Sequence, residues 1–427
     1  MNSMIATKKE GGMRGILTKG IMLCIFVAAL VCAAGSAGHA ADTVKIGVLD
    51  PRSGQNEPFG RTWFAALQFA ADEQNAKGGL LGRKVELIAE DGESKPDVAT
   101  RKARKLILEN KVNFLTGGQL SPVAIALARV ATSSKVLYFN YSGMADEIQG
   151  KEFAPYAFRV CQNHYQQFTS LIMLLAKTPY RKIYSLQPDY LAGHSQDKDL
   201  REELPKYIPD GKVVGSDFHP FATRDFAPYI SKVIASGADV IVSGTFGSDL
   251  INLIRQARSM GLKAPFPIFA PLGLHPYSIG ELKDAAVGMY YTSEYLLNVN
   301  TPENQEVIRR YHDKHKDDKD FLTQWPFSDP AMAILGWKMT FAAIEKAGSL
   351  DPEKIIAAYE GFEWKSPVGA WTMRKCDHQV LLPMYGGSIA AGPNPYYTFP
   401  WEGSKVEEFT ADKVSLPATK EYNPRCQ

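Results

Sequence analysis

Short apolar runs alternate with longer amphipathic segments along most of this chain. The first run, residues 44–49 (VKIGVL), is followed by a segment in which Trp63, Leu67, Ala70 and Ala71 recur at helical spacing. This order repeats, and further strands are expected at residues 84–91, 112–118, 136–140, 183–187, 213–218, 239–244 and 267–271. Strands that alternate with helices predict parallel sheets whose two faces are both covered by helices.

The strand–helix alternation restarts after Arg159, so it forms two series rather than one. We therefore predict an α/β protein with two doubly wound parallel-sheet lobes. Helices are expected at residues 301–315, 329–347 and 352–359, and an aromatic, strand-rich tail follows them.

The carboxyl ends of the predicted strands are the expected ligand site. In open α/β sheets ligands bind there, because the following helices begin with unpaired backbone N–H groups. The loops that would meet at these ends are residues 50–60, 117–122, 140–146, 188–193, 244–248 and 271–275.

The first forty residues have the pattern of an export signal. Arg14 and Lys19 precede an apolar stretch at residues 21–34, and small residues then lead to a cleavage site near Ala40–Ala41. The apolar stretch of about 14 residues is shorter than the roughly 20 that a membrane-spanning helix needs. We expect residues 1–40 to be removed and the mature chain to be released into the periplasm.

A lipid anchor is the alternative interpretation of this segment. It would make Cys32 the acylated residue, but the bulky Leu30 and Val31 precede it where small residues are wanted.

Composition and charge exclude some function classes. Hydrophobic residues make up 45% of the chain, charged residues 22%, and the formal net charge is +2 without a basic block. A nucleic acid partner would need a concentrated cationic face, so none is expected. Phosphate-binding glycine motifs and a Gly-x-Ser-x-Gly nucleophile turn are absent from the sequence.

Histidine patterns give no catalytic or metal site. The pair His194-Ser195 lies in a polar segment without an obvious acid partner, and His312 and His315 are three apart among lysines and aspartates. No cofactor, no metal and no enzymatic activity are expected, although triads assembled from distant positions leave a secreted enzyme as a minor alternative.

Three cysteines remain after cleavage, namely Cys161, Cys376 and Cys426. We expect Cys376 to pair with Cys426 and to fix the tail, with a stabilisation of about 3–4 kcal/mol. The alternative, three free thiols, stays open.

Several motifs resemble one family of solute-binding proteins. They are the strand at residues 44–49, Ser53-Gly54, Phe59-Gly60 and the helix end at residues 75–83 (NAKGGLLGR). Further matches are residues 103–107 (ARKLI), 145–148 (ADEI) and 253–258 (LIRQAR). Together they are similar to the branched-chain amino acid (leucine)-binding family of periplasmic solute-binding proteins of ABC importers, with the type I periplasmic fold.

The resemblance implies two lobes joined by three chain crossings that close on a small ligand. The first lobe would hold residues 41–159 plus 289–366, and the second would hold residues 160–288 plus 367–427. A permease in the membrane would then recognise the closed form, and the solute-binding protein would be a monomer. A sensor subunit of the same fold is an alternative that the sequence does not separate from transport.

The resemblance also implies where ligand contacts lie. In amino-acid-binding relatives the ligand carboxylate meets the loops that match residues 117–122 and 141–145, and aromatic contacts come from the second lobe. The candidate residues are Phe59, Gln119, Leu120, Ser121, Tyr141, Ser142, Gly143, Met144, Tyr165, Tyr190, Phe246, Leu272 and Trp325. Trp63 is expected to pack in the core, because its helical spacing faces the sheet.

Leu272 departs from the family pattern and decides the expected ligand. Relatives that bind amino acids often carry an acidic residue there, and a buried ammonium without a counter-charge costs several kcal/mol. We therefore predict a small organic acid without an ammonium group, such as an aromatic acid. An amino acid stays the alternative, since Asp249 or Glu294 could supply the charge if the alignment is shifted.

Overall fold

The computed structural model describes Met1 and residues 43–262, 267–270, 274–403 and 405–426. The predicted signal segment, the cleavage point near Ala40–Ala41 and Cys32 lie outside the described residues, and so does Leu272. Within the described ranges, no helix combines the length and the apolar character needed to cross a membrane.

The first lobe is built around a sheet of five parallel strands. These strands are β1 (Val44–Leu49), β2 (Val85–Ala89), β3 (Phe114–Gly117), β4 (Leu137–Asn140) and β5 (Ala157–Arg159). Helices α1 (Glu57–Ala76), α2 (Pro96–Leu108) and α3 (Ser121–Ser134) connect the first four strands. The strand order is β2-β1-β3-β4-β5, with every neighbouring pair parallel.

The second lobe begins with helix α4 (His164–Ala176) and repeats the alternation. Its elements are β6 (Lys182–Pro188), α5 (Leu191–Tyr207), β7 (Lys212–His219), α6 (Ala227–Ser236), β8 (Val240–Val242), α7 (Gly247–Ser259), β9 (Ile268–Phe269), α8 (Pro276–Leu282) and β10 (Tyr290–Ser293).

The chain then returns to the first lobe before it completes the second sheet. The returning elements are α9 (Pro302–His315), α10 (Ser328–Ala347), α11 (Pro352–Tyr359) and a small antiparallel sheet of β11 (Glu363–Ser366), β12 (Gly369–Met373) and β13 (Val380–Leu381). The tail adds β14 (Met384–Ala390), β15 (Trp401–Glu402), β16 (Glu407–Phe409) and α12 (Ala411–Val414).

The second sheet has the order β15-β14-β10-β9-β8-β6-β7, and β16 also pairs with β14. The strands from β7 to β10 are parallel, and β14 is antiparallel to β10. The predicted α/β architecture with two parallel sheets is confirmed. Apolar strands buried on both faces explain it, since helices cover each sheet from both sides.

Strand β10 lies in the second sheet, whereas the sequence expectation began the return to the first lobe at residue 289. Tyr290 pairs with Phe269 of β9 and with Ser388 of β14, so the return follows Ser293. The small sheet β11-β12-β13 also pairs residues from both sides of the boundary expected at residues 366–367.

Helix α10 packs on the first sheet through its aromatic side chains. The Trp337 ring lies 6.4 Å from Phe114 and 5.3 Å from Phe139, measured between centroids, and the Trp337 Nε1 donates to Thr116 Oγ1 at 3.2 Å. The buried Tyr359 stacks on Phe158 at 4.9 Å. Returning helices therefore belong to the first lobe, although they follow the second in sequence.

The junction of the lobes is held by buried polar groups and by a disulfide. The Arg159 guanidinium donates to the Gln379 side chain and to the Ala145 carbonyl. Cys376 and Cys426 form a disulfide, and the adjacent Asn423 Nδ2 donates to the Gln149 carbonyl at 2.8 Å. The tail is thereby fixed against the first lobe, and Cys161 is a buried free thiol.

Candidate functional site

A cavity lies between the two lobes at the carboxyl ends of the parallel strands. The space inside it that a water-sized probe can enter is about 50 Å³. Eight of the predicted site residues line it: Phe59, Gln119, Leu120, Ser121, Ser142, Met144, Tyr190 and Phe246. Trp63, His164 and Asp329 line it as well.

The N-terminus of α3 forms one wall of the cavity. No side chain caps this helix end, and Leu120 precedes it in an extended conformation. Gly117 and Gly118 both have positive φ, and a Cβ on Gly118 would lie 2.9 Å from the Tyr138 hydroxyl, so the loop needs glycine there. Pro122 has no N–H, and the Val123 N–H donates to the Leu120 carbonyl at 2.8 Å. This helix end therefore favours an anionic group through its dipole and the Ser121 N–H.

A tight turn after β4 presents Ser142 to the same wall. Asn140 Oδ1 accepts from the N–H groups of Ser142 at 3.0 Å and Gly143 at 2.7 Å. Gly143 does not line the cavity; a Cβ there would lie 2.5 Å from the Ala124 Cβ, so it allows close packing of the turn on α3. The Ser142 Oγ is buried without a hydrogen-bond partner in the described structure.

Aromatic rings from both lobes form the opposite walls. Phe59 and Trp63 stand one turn apart on α1, with ring centroids 6.0 Å apart, and Phe246 of the second lobe meets Phe59 edge to face at 6.0 Å. His275 also packs on Phe59, at 4.4 Å. The Trp63 Nε1 is buried without a hydrogen-bond partner, so Trp63 faces the site as well as the core.

Tyr190 and Phe246 occupy equivalent positions in the second lobe. Each directly precedes a helix, α5 or α7, with an extended backbone. Burial raises the pKa of the Tyr190 hydroxyl, which keeps it neutral. Both rings are therefore placed at the cleft by the strand–helix turns that the sequence predicted.

Tyr141 lies beneath the cavity rather than in its wall. Its hydroxyl donates to the buried Asp50 carboxyl, and its ring packs edge to face on Trp63 at 6.0 Å. Burial raises the pKa of Asp50 to about 7, and the Tyr141 hydrogen bond opposes that rise. The Tyr141 hydroxyl is thus already used for anchoring, and its ring supports Trp63.

Two further predicted residues lie elsewhere. Tyr165 faces a polar cleft with Asp146, Lys198 and Glu203, and its N–H donates to Asp146 Oδ1 at 3.2 Å. Trp325 stacks on His312 with centroids 3.6 Å apart, outside the cavity. Leu272 lies outside the described residues, so its role stays a prediction.

Two polar residues of the wall were missed by the sequence reasoning. His164 begins α4 directly after the capping residue Asn163, and burial lowers the pKa of its imidazole to about 3, so it is neutral. The sequence signal that could have located His164 is the capping box of Asn163 and Gln166, which marks the start of the helix. Asp329 lies in the first turn of α10, where burial raises the pKa of its carboxyl to about 6.

The site contains an acidic group that the sequence argument did not count. Asp329 lines the cavity, and among the described residues no lysine or arginine does. Glu294 lies close enough for the Asp329 charge to act on it. Burial and then that charge raise the pKa of Glu294 to about 8.

The lobes also meet outside the cavity. Asp146 of the first lobe and Asp199 of α5 share a side-chain hydrogen bond, and burial raises the pKa of both carboxyls. Nearby, the Ser195 Oγ donates to Glu147 Oε2 at 3.3 Å, while His194 contacts Asp189, so His194 and Ser195 do not form a catalytic pair. Within the described ranges, no cluster of histidine, cysteine and carboxylate side chains is arranged to hold a metal.

Comparison with known proteins identifies the family. The family model described as "Periplasmic binding protein" matches residues 43–393. The chain is 25% identical over 376 residues to Leu/Ile/Val-binding protein homolog 4 of Brucella melitensis, covering 84% of this chain and 87% of that protein.

Two solved structures are similar in fold. One is the leucine-, isoleucine-, valine-, threonine- and alanine-binding protein of Brucella ovis in its closed conformation, with a TM-score of 0.79 at 22% identity and 91% and 99% of the two chains covered. The other is an ABC transporter solute-binding protein of R. palustris in complex with 4-hydroxybenzoate, with a TM-score of 0.76 at 23% identity and 86% and 97% covered. Since the family model spans most of its length, this chain belongs to the periplasmic binding protein family.

Proposed function

We propose that this protein is the extracytoplasmic solute-binding subunit of an ABC importer and that its solute is a small organic acid with an aromatic ring. The observation that carries the proposal is the cavity between the lobes, where aromatic side chains from both lobes face an uncapped helix N-terminus. The R. palustris protein of similar fold was solved with 4-hydroxybenzoate, which has this chemistry.

The aromatic walls favour a flat apolar body. Phe59 and Trp63 come from one lobe, Tyr190 and Phe246 from the other, and all four line the cavity. A ring that buries about 150 Å² between them gains roughly 3–4 kcal/mol at about 25 cal/mol per Å². A ligand held in this way touches both lobes and therefore stabilises the closed state.

The carboxylate of such a ligand has suitable partners on the first lobe. The N-terminus of α3 favours an anion, and Ser142 Oγ and Trp63 Nε1 are buried donors without partners. A buried polar group without a partner costs about 1–3 kcal/mol, which a ligand acceptor would remove. All of these groups belong to the first lobe.

The transport role places the protein in the periplasm, with a membrane permease as the partner of the closed form. The chain would bind and release its solute without chemical change. A sensor subunit that signals through the same closure would use the same site. Deletion of the gene for the permease distinguishes the two roles, because uptake of the solute is lost only if the protein serves transport.

Asp329 supports a second candidate, an amino acid. Its carboxylate lines the cavity and is largely ionised at neutral pH, so it could pair with a ligand ammonium. The Brucella melitensis relative carries the name of a Leu/Ile/Val-binding protein homolog, in line with this candidate.

A thermal-shift screen of the mature protein separates the two candidates. Benzoate, 4-hydroxybenzoate and hydroxycinnamates are compared with leucine, isoleucine and phenylalanine at equal concentrations. Binding to the folded state raises the unfolding midpoint, and at equal concentration a tighter ligand raises it further, so the aromatic acids are expected to raise it most. A shift with amino acids alone would replace the proposal by the amino-acid candidate.

A further inference from the structure

Asp329 is the charged residue in an otherwise neutral set of described lining side chains. Its carboxylate hydrogen-bonds to the Ser328 side chain, and it has no ion-pair partner among the described residues. A ligand that carries only a carboxylate would bring a second negative charge into the same cavity. Like charges at short range in a poorly solvated site repel, so Asp329 works against a simple carboxylate.

Asp329 and the free donors come from different elements of the first lobe. Asp329 opens α10 beside the chain crossings: its charge acts on Glu294, which follows β10, and on Cys161, which follows β5. The free donors, Ser142 Oγ and Trp63 Nε1, belong to the β4 turn and to α1. The cavity is therefore lined by one charged acceptor, Asp329, and by two donors without protein partners.

Glu294 is a second buried carboxyl group on which the Asp329 charge acts. It is 1% exposed, and its Oε1 has no hydrogen-bond partner in the described structure. Since no lysine or arginine among the described residues lines the cavity, a donor group of the ligand can pair with the Asp329 carboxylate. A complementary ligand then needs an acceptor group at one end and a donor group at the other.

We propose that Asp329 determines the specificity of this site by accepting a hydrogen bond from the ligand, and that it selects aromatic carboxylates with a hydroxyl or amino donor on the ring. This inference rests on the proposed function and adds the substituent that the ligand must carry. A ring without the donor would leave a buried carboxylate unpaired, which lowers affinity by about tenfold or more.

Calorimetric titration with a matched set of benzoates tests the proposal. The probes are 4-hydroxybenzoate, 4-aminobenzoate and 4-fluorobenzoate, since fluorine approximates the size of the hydroxyl but donates no hydrogen bond. The wild-type protein is expected to bind the first two at least about tenfold more tightly than the third. Equal affinity for the three would overturn the proposal.

Variants assign the discrimination to Asp329. In Asp329→Ala the preference for 4-hydroxybenzoate over 4-fluorobenzoate is expected to fall below about threefold, through loss of affinity for the hydroxy compound. If the alanine variant does not fold, Asp329→Asn replaces it. This variant keeps the side-chain shape and one acceptor oxygen, and we expect it to show an intermediate preference. Full preference in both folded variants would overturn the role of Asp329.

Asp249→Asn is the matched control, because Asp249 is a buried carboxylate near the cleft whose Oδ2 already accepts from the Ala222 N–H at 2.9 Å. It is expected to keep the preference for 4-hydroxybenzoate over 4-fluorobenzoate.

L-phenylalanine and L-leucine are titrated in parallel. Binding of these amino acids without any benzoate would refute the proposed function itself, whereas binding of all three benzoates with equal affinity would refute this inference alone.

Discussion

Phe59 on α1 and Phe246 ahead of α7 meet edge to face across the cleft, with their ring planes at 85° and their centroids 6.0 Å apart. The two residues belong to different lobes, so the contact exists when the lobes are closed. A ligand beside these rings adds contacts to the closed state and shifts the population toward it.

Replacement of Phe246 by alanine should weaken ligand binding by more than 1 kcal/mol, or about fivefold or more. The variant loses apolar contact area with the ligand and with Phe59, while the fold of each lobe is retained. Titration calorimetry with 4-hydroxybenzoate measures the change.

Phe321→Ala is the control for this substitution, because Phe321 is 42% exposed and lies outside the cavity. It should leave affinity unchanged. Equal affinities of wild type and Phe246→Ala would remove Phe246 from the site.

Ligand affinity should fall as pH rises through the range above the ordinary aspartate pKa of about 3.9. Asp146 belongs to the first lobe and Asp199 to the second, and burial raises the pKa of both carboxyls where they meet. We therefore expect opening of the lobes to separate and hydrate them. The closed form therefore holds a proton that the open form has released, and closure is favoured at the lower pH. Arg159 opposes this rise at Asp146, and Lys198 opposes it at Asp199.

Calorimetry in two buffers of different ionisation enthalpy measures the protons taken up on binding. Uptake is expected for the wild type at pH 5–6, and a smaller uptake for Asp199→Asn, which can keep the hydrogen bond without titrating. Asp210→Asn removes an exposed carboxylate that pairs with Arg181 and should behave as the wild type. Proton release on binding by the wild type would contradict the assignment.

Tyr141→Phe should destabilise the protein by about 1–3 kcal/mol, because it leaves the buried Asp50 carboxyl without its hydroxyl donor. Tyr156→Phe is the matched control, since the Tyr156 hydroxyl donates to Glu353 at the surface. Its expected cost is below about 1 kcal/mol. Urea unfolding of both variants gives the comparison, and equal costs would show that the Asp50 contact has no special weight.

The mature chain should show no reactive thiol when folded and one when unfolded without reductant. Cys376 and Cys426 are joined, and Cys161 is buried, with burial raising the pKa of its thiol. The reactive thiols are counted with a thiol reagent under native and under denaturing conditions. Three thiols on unfolding would contradict the disulfide.

Removal of the disulfide by Cys376→Ser should lower stability by about 2–4 kcal/mol, because it frees a loop that spans 50 residues of sequence. Without the disulfide the tail is held by non-covalent contacts, such as the hydrogen bond from Asn423 to the Gln149 carbonyl. Unfolding curves of oxidised wild type and the variant measure the difference, and unchanged stability would show that the tail contacts suffice.

Much of the fold follows from local patterns. Apolar runs such as residues 44–49 mark buried parallel strands, and the loops after them held most of the residues that line the cavity. Tyr190 and Phe246 were predictable because each directly follows a strand-end turn and precedes a helix.

The remaining site residues depend on long-range packing. Asp329 reaches the cavity because α10 returns to the first lobe from a distant part of the chain, which no local pattern around residue 329 indicates. Tyr141 was misplaced because its hydroxyl is held by Asp50, 91 residues away. Trp63 serves the core and the cavity together, whereas its helical spacing indicated the core alone.

The central claim is that a small aromatic acid is held between the lobes by Phe59 and Phe246. A crystal structure of the mature protein grown with 4-hydroxybenzoate tests it most directly. The ligand ring is expected against these two side chains, with its carboxylate at the N-terminus of α3 and its hydroxyl at Asp329. An empty cleft at saturating ligand, or a co-purified amino acid with its ammonium on Asp329, would contradict it.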